Sequence, residues 1–264
     1  MKKHLAYYET EWPANITELT AVENKPFVGY LKDGGVQYTV IPVPEKPVTY
    51  EAVELFLPSG RLWANMNVGA TSPEDAGMYF QWGGTVGHTK EQVEAGEKAF
   101  VDWSTYFDTN DNGSTFNKYN NEGGLTQLEY VDDAAAQIMG SDWRMPTKED
   151  FQELVDNTTL VFIDFDGNEF TREQVENGDL YFEKFKGVKF VGVNNNSIFI
   201  PTCNPEDDGL LYRPHEGVIL WSSNLSEWSD SSWHYLSGND EGTSNNKCFA
   251  NMRWMGLPIR GVKA

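Results

Sequence analysis

The sequence predicts an α+β protein: a domain of short strands and long loops around two main helices, preceded by a small β-hairpin arm. Three observations carry that prediction. Aromatic residues make up 14% of the chain, with nine Trp and 24 Gly against 39% hydrophobic residues in all; that balance suits short strands and structured loops better than helical bundles. Residues 132–139 and 147–155 carry helix signals in the middle of an otherwise strand-rich chain. Residues 1–50 differ from the rest of the chain, with a hairpin pattern and then Pro42, Pro44 and Pro47. A chain of 264 residues accommodates one large domain and an appendage, drawn as 51–264 and 1–50. It is long enough to bury a core without a metal or a disulfide framework.

In the arm, residues 28–33 and 36–41 are rich in β-branched and aromatic side chains, and Asp33, Gly34 and Gly35 supply the turn between them. The prolines after the hairpin stiffen an extended connector and forbid helix. A lone hairpin is marginal in water, so the arm is expected to pack on a partner or on another copy of itself.

The main domain opens with a strand at 53–57, which Pro58, Ser59 and Gly60 turn into a return strand at 62–64. Ser72 at an N-cap and Pro73 at the first helical position predict a short helix beginning there. A helix over 132–139 should stop at Gly140. In the next helix Thr147 is the N-cap, Asp150 stands at the reciprocal capping position, and Phe151, Leu154 and Val155 form one apolar face. The segments 89–96 and 171–178 nearly repeat one another, each with Thr at the N-cap, Gln three residues on and Gly at the end. They predict the same one-to-two-turn capped helix used twice, without a domain duplication. Strands are expected at 188–193 and 197–201 around Asn194, Asn195 and Asn196, at 217–223 and at 257–262. From 224 to 252 the chain is polar and rich in Asn, Ser, Trp and Gly.

Seven short pieces stand in order along the chain: Leu57-Pro-Ser-Gly60, Asn67-Val-Gly-Ala-Thr71, Tyr79-Phe-Gln-Trp-Gly83, Asp132-Asp-Ala-Ala135, Trp143-Arg-Met-Pro-Thr147, Trp221-Ser-Ser223 and Ile259-Arg-Gly-Val262. In these pieces, over residues 53–264, the chain resembles the "major paralogous domain" family common in Bacteroidota and their phages. The resemblance implies a C-type lectin-like fold, related to the formylglycine-generating enzymes, and a displayed binding domain. Gly261 departs from the family, whose closing arginine motif usually continues with Pro. The pieces themselves read as structural. Trp82, Trp143 and Trp221 are expected in the core, and Arg144 is expected on loop carbonyls or on a carboxylate such as Asp133.

The charge balance excludes some partners. Twenty basic against 40 acidic residues leave a net charge of −20, which repels phosphate backbones and anionic membrane surfaces, so neither nucleic acid nor membrane is an expected partner. No run of about 18 apolar residues exists to span a bilayer. After Met1, Lys2 and Lys3, the stretch 5–11 breaks any apolar signal core, so no secretory leader is read. That favours a phage structural protein over a bacterial surface protein.

No catalytic residue is assigned. Cys203 and Cys248 lack an activating setting, and whether they pair is open. His4, His88, His215 and His234 show no zinc spacing. Residues 108–113 imitate the first half of an EF-hand loop, but Tyr119 occupies the position of its bidentate Glu, so an ordinary turn is expected and neither metal nor cofactor is assigned. The expected ligand surface lies within 221–254 and comprises Trp228, Trp233, Tyr235, Asn239, Asn245, Asn246, Asn251, Arg253 and Trp254. Flat aromatics beside amides suit sugar rings, and equally suit protein recognition. In the resembled family and related phage tropism proteins this region forms the exposed binding face.

The sequence reading is therefore a non-enzymatic phage virion protein, a head or tail fibre or decoration component, that displays a C-type lectin-like domain on the virion surface for adhesion to a bacterial surface glycan or protein receptor. Residues 1–50 would bind capsid or tail proteins or oligomerise, with a trimer by analogy. The alternatives are a bacterial cell-surface or secreted binding protein of the same fold, and a purely structural decoration protein.

Overall fold

A computed structural model describes residues 27–30, 37–40, 48–89, 92, 106–111, 113–177, 185–202, 218–227, 231–237 and 247–263; at 27–30, 37–40, 176, 185, 231–237 and 247–251 it describes the backbone alone. The chain divides into two compact units, Met1–Thr49 and Tyr50–Ala264.

In the first unit, β1 (Phe27–Tyr30) pairs antiparallel with β2 (Gln37–Val40). Tyr30 stands opposite Gln37, whereas a two-residue Gly34-Gly35 loop would set Tyr30 opposite Thr39; residues 31–36 lie outside the described residues. The pairing was legible; the register was not.

The second unit is a mixed α+β fold dominated by strands. β3 (Ala52–Glu54) and β14 (Arg260–Lys263) flank β4 (Leu62–Asn67) in one sheet. β7 (Glu169–Thr171), β6 (Thr159–Asp164), β8 (Phe185–Val191) and β9 (Ser197–Pro201) form a second sheet in that order. β10 (Val218–Leu225), β11 (Ser231–Ser237) and β12 (Lys247–Met252) form a third. β5 (Tyr79–Phe80) pairs with β13 (Leu257–Pro258). The closing strand expected at 257–262 is thus split in two at Ile259.

Among the described residues three α-helices stand whole in this frame: α1 (Ala134–Met139), α2 (Lys148–Asp156) and α3 (Arg172–Glu176). α1 is capped by Asp133, which accepts from the Ala136 amide, and stops at Gly140 with φ 107°. α2 carries the full capping box: the Asp150 amide donates to Thr147 Oγ1 at 3.2 Å and the Thr147 amide to Asp150 Oδ2 at 2.7 Å. Such a cap is worth about 1 kcal/mol. Thr171 and Gln174 repeat the box on α3, and the Thr89 and Gln92 backbone and side-chain groups exchange the same two bonds at 2.9 and 3.3 Å. The echo in sequence is therefore an echo in capping geometry.

Residues 72–75 form a turn rather than a helix. The Asp75 carboxylate takes the Thr71 amide at 2.9 Å and hydroxyl at 3.1 Å, and the Gly77 amide at 3.0 Å. The chain then doubles back, and the Met78 amide donates to the Val68 carbonyl at 2.9 Å. A Cβ on Gly77 would lie 2.4 Å from that carbonyl oxygen, so nothing larger fits.

Among the described residues two hydrophobic cores share the strand β10. The first gathers Trp63, Phe151, Leu154, Phe162, Phe190 and Ile200 among others; the second gathers Tyr79, Phe80, Trp82, Tyr119, Ala134 and Met145 among others. β10 feeds both by simple alternation: Val218 and Leu220 enter the first, Ile219 and Trp221 the second. A strand buried on both faces reads as a continuous apolar run, as 218–221 does. Trp82, Trp143 and Trp221 are all buried. Trp82 Nε1 donates to the Ser222 carbonyl at 2.9 Å and Trp221 Nε1 to the Phe80 carbonyl at 2.8 Å, so neither indole leaves a buried donor unmet.

The Trp143–Thr147 piece is built into the frame by its backbone. Arg144 and Val262 exchange two hydrogen bonds of 2.9 Å. Gly261 lies so close beneath that a Cβ there would meet Met139 Sδ at 2.5 Å and Trp143 Cε3 at 3.1 Å. Any side chain at this position, proline included, would have to displace them. Arg144 Nη1 donates to the Met145 carbonyl at 2.8 Å and pairs with Asp150 at 2.7 Å. The carboxylate is Asp150, not Asp133, because Asp133 is occupied by the amides of Ala136 and Met145 at 3.0 and 2.8 Å.

Candidate binding site

The polar segment 224–252 contains two strands, β11 and β12, laid beside β10. Trp233 stands in register with Ala250, Tyr235 with Leu220 and Cys248, and Asn251 with Ser232. Three of the expected ligand residues thus fall on two neighbouring paired strands. Trp228, Asn239, Asn245 and Asn246 lie outside the described residues, as does Cys203.

Between Trp221, opposite His234, and Leu225, opposite Ser232, the register of β10 with β11 shifts, and residues 223–225 also bond other neighbours. The Leu128 amide donates to the Ser223 carbonyl at 2.9 Å, the Leu225 amide to the Thr126 carbonyl at 2.8 Å, and the Ser223 amide to the Pro146 carbonyl at 2.8 Å. Asn224 Oδ1 accepts from the Lys148 amide at 2.8 Å. A bulge of this kind bends a strand and re-aims the residues beyond it. Here it anchors the start of the β10–β11 connection to the helix α2 and to residues 126–128. Asn121 Nδ2 adds bonds to the Ser226 and Glu227 carbonyls at 2.9 and 2.8 Å.

The turn after β12 holds Met252, Arg253 and Trp254, and it corrects one expectation. Arg253 is fully buried, not part of a solvent face. Its Nη1 pairs with Asp108 Oδ2 at 3.1 Å and its Nη2 donates to the Tyr119 carbonyl at 2.7 Å. The guanidinium lies 3.8 Å from the Phe116 ring centroid and 5.3 Å from that of Trp82. Asp108 is 2% exposed and also accepts the Lys118 and Tyr119 amides at 2.7 and 2.9 Å. A charge taken this far from water needs polar partners, and Arg253 has a carboxylate, a carbonyl and aromatic faces together.

The same loop explains the EF-hand resemblance. Asp108 is committed to Arg253 and to backbone amides, while Asp111 accepts from the Thr115 amide at 2.8 Å and hydroxyl at 3.0 Å. Those bonds, the Thr115 amide first, hold the Asp111 carboxyl below its ordinary value. Among the described residues no group of three or more His, Cys, Asp and Glu gathers as metal ligands.

Aromatic rings surround this pin. Tyr106 lies 5.2 Å from Phe107 and 6.3 Å from Phe116, and Phe107 lies 6.5 Å from Tyr119, centroid to centroid. Burial pushes the Tyr106 phenol far above its usual value. Tyr119 is pushed up to about 12, first by burial and then by the bond its hydroxyl donates to Asp132 at 2.6 Å. Lys118 pairs with Asp132 and with Glu129, which hold its ammonium above the ordinary range. At the surface above the pin are Trp254, half-buried, whose Nε1 donates to Met252 Sδ at 3.4 Å, and Met252 and Phe107, 44% and 46% exposed.

Sequence reasoning missed Tyr106, Asp108, Phe116 and Tyr119 as the seat of the C-terminal segment. The signal available was Arg253 itself, an arginine inside an aromatic-rich stretch. Its partner lies 145 residues away, and no local pattern joins the two.

No family model, curated protein or solved structure matches the chain. The candidate site stands on its geometry and on the sequence pattern.

Proposed function

We propose that the chain is a non-enzymatic bacteriophage virion protein, a head or tail fibre or decoration component, whose residues 51–264 form a C-type lectin-like domain that adheres to bacterial surface glycans. The observation that carries the reading is the construction of the C-terminal region. Two strands bearing Trp233, Tyr235 and Asn251 adjoin a turn that is riveted from below by the buried Arg253–Asp108 pair. A binding surface of loops and edge strands needs a rigid seat to keep its geometry without a ligand, and this is one. The ordered motifs over residues 53–264 and the α+β frame add support. The N-terminal hairpin would serve as the anchor to capsid or tail proteins, or as the contact between copies in a trimer.

The test is a binding screen of the full chain against intact Bacteroidota cells and their extracted capsular polysaccharides, with and without chelator. Saturable binding to at least one polysaccharide, unchanged by chelator, is the expected result. Absence of binding across a broad strain panel would sink the adhesion reading and leave a structural virion component. Loss of binding on chelation would instead require a calcium site.

A further inference from the structure

A cleft of about 350 Å³ opens where Trp143 and Arg144 meet Arg61 and the closing strand. Arg61, Arg144 and Lys263 line it, a concentration of cations in a chain of net charge −20.

These cations are incompletely neutralised. Arg61 Nε and Arg144 Nη1 converge on one carboxylate, Asp150, at 3.2 and 2.7 Å. Arg144 Nη1 also reaches the Met145 carbonyl. Each guanidinium has five N–H donors, so both keep donors to spare. Their side chains remain 22% and 33% exposed. Lys263 makes no ion pair among the described residues; its ammonium lies 5.1 Å from the Trp143 ring centroid. Of the two acids that line the cleft, Asp133 gives both oxygens to the Ala136 and Met145 amides. Asp142 is exposed and keeps its acceptors.

We infer that this cleft binds the carboxylate of an acidic sugar, a uronate or sialate residue. A carboxylate matches the fork of a guanidinium and gains from a third, point-like charge at Lys263. The rest of the lining suits a ring with hydroxyls. Asp142, Gln127 and Ser141 offer hydrogen-bond partners, and Tyr130, 56% exposed, offers a flat face for the apolar side of a sugar. A phosphoryl group would carry more negative charge towards Asp142 with no hydroxyls for the amide and hydroxyl partners. The volume sits at the small end of ligand sites, enough for one or two sugar rings. The inference does not rest on the adhesion reading, since none of these residues belongs to β11 or β12.

The experiment titrates the full chain by calorimetry with tri-glucuronate, with sialyllactose, with the carboxyl-reduced form of tri-glucuronate, and with a glutamate trimer. One of the two acidic sugars should bind, and removing its carboxylate should weaken binding about tenfold or more, the worth of one charge-assisted hydrogen bond. Lys263→Ala should weaken it several-fold, and Arg61→Lys, which keeps the charge but loses the fork, should do so too. Circular dichroism checks that both variants are folded. If neither acidic sugar binds, if the reduced sugar binds equally, or if both folded variants bind as the wild type does, the inference fails. Equal or tighter binding of the glutamate trimer would reassign the cleft to acidic peptides and overturn it as a sugar site. Loss of this binding with cell adhesion intact would leave the adhesion reading untouched.

Discussion

Among the described residues two arginines are completely buried, and the molecule treats them differently. Arg260 sits in the strand frame. Its Nε donates to Asn67 Oδ1 at 2.7 Å, its Nη1 to the Ala64 carbonyl at 2.8 Å and its Nη2 to the Phe199 carbonyl at 2.8 Å. No carboxylate pairs with it among the described residues, and burial lowers its guanidinium to about 9, still charged at neutral pH. Arg253 sits under the loops and has a carboxylate, a carbonyl and two aromatic faces. The contrast has a physical logic. Strands already fixed by their ladders present preorganised carbonyl dipoles, which solvate Arg260 with little reorganisation. Loops have no such scaffold, so a full opposite charge at Asp108 is used to fix where residues 108–119 and the turn after β12 meet.

The largest expected effect tests the loop half of that contrast. Asp108→Ala leaves Arg253 charged and buried, and should cost about 3–5 kcal/mol in urea unfolding. Asp108→Ala combined with Arg253→Met should recover much of that loss, because no buried charge remains. A single-mutant cost below about 1 kcal/mol would mean that the loops do not depend on the pair.

Arg260→Met tests the frame half and should cost less, about 1–3 kcal/mol. It removes a desolvated charge whose named partners are all neutral, and leaves only those acceptors unmet. Thermal unfolding with matched denaturant curves decides the order. A cost above that of Asp108→Ala would reverse the comparison.

The smallest effect concerns pH and a third, less buried charge cluster. Burial pushes the Asp150 carboxyl up, but the bond from Arg144, the Thr147 amide and the charges of Arg144 and Arg61 outweigh it, so the net shift is downward. A carboxyl held low in the folded state binds its proton more weakly there than in the unfolded chain. Its stabilisation is therefore complete above the ordinary carboxylate range and is lost as pH falls through the lowered value. Asp150→Asn should destabilise the protein at pH 7 and shallow the acid limb of a stability–pH curve, without changing the limb above neutrality. An unchanged acid limb would show that the Arg61–Asp150–Arg144 cluster contributes nothing. Asp133, whose carboxyl burial pushes up, works in the opposite sense over the same acid range.

Much of the frame was legible because local chemistry encodes it. The boxes at Thr147 and Thr171 form as their residue types require. The apolar run at 218–221 becomes the doubly buried β10. The Asn-rich turn bends at Asn195 with φ 63°, and Asn194 and Asn196 also tie it to the Glu54 carbonyl at 2.8 and 2.9 Å. What failed was non-local. β6 was not foreseen, although Leu160, Phe162 and Asp164 alternate inward along it, because it comes after α2 with only two residues between. The helix expected at Ser72 gives way to a turn in which the Asp75 carboxylate takes the Thr71 amide and hydroxyl on one side and the Gly77 amide on the other. Arg253 looked like a ligand residue by composition and proved to be a rivet, since its partner is supplied from the far side of the sequence. Of the expected ligand residues, Trp233 and Tyr235 stand two apart on β11, Asn251 stands opposite Ser232 on β12, and Trp254 lies in the turn that follows.

The most direct test of the central claim is the binding of bacterial capsular polysaccharide by the wild type and by Trp233→Ala, Tyr235→Ala and Arg260→Met variants, each verified as folded. The account predicts that the wild type and Arg260→Met bind alike, while the two aromatic substitutions each lose about tenfold in affinity, the scale of one stacked ring. Binding that survives both aromatic substitutions, or no binding by the wild type to any polysaccharide, would contradict it.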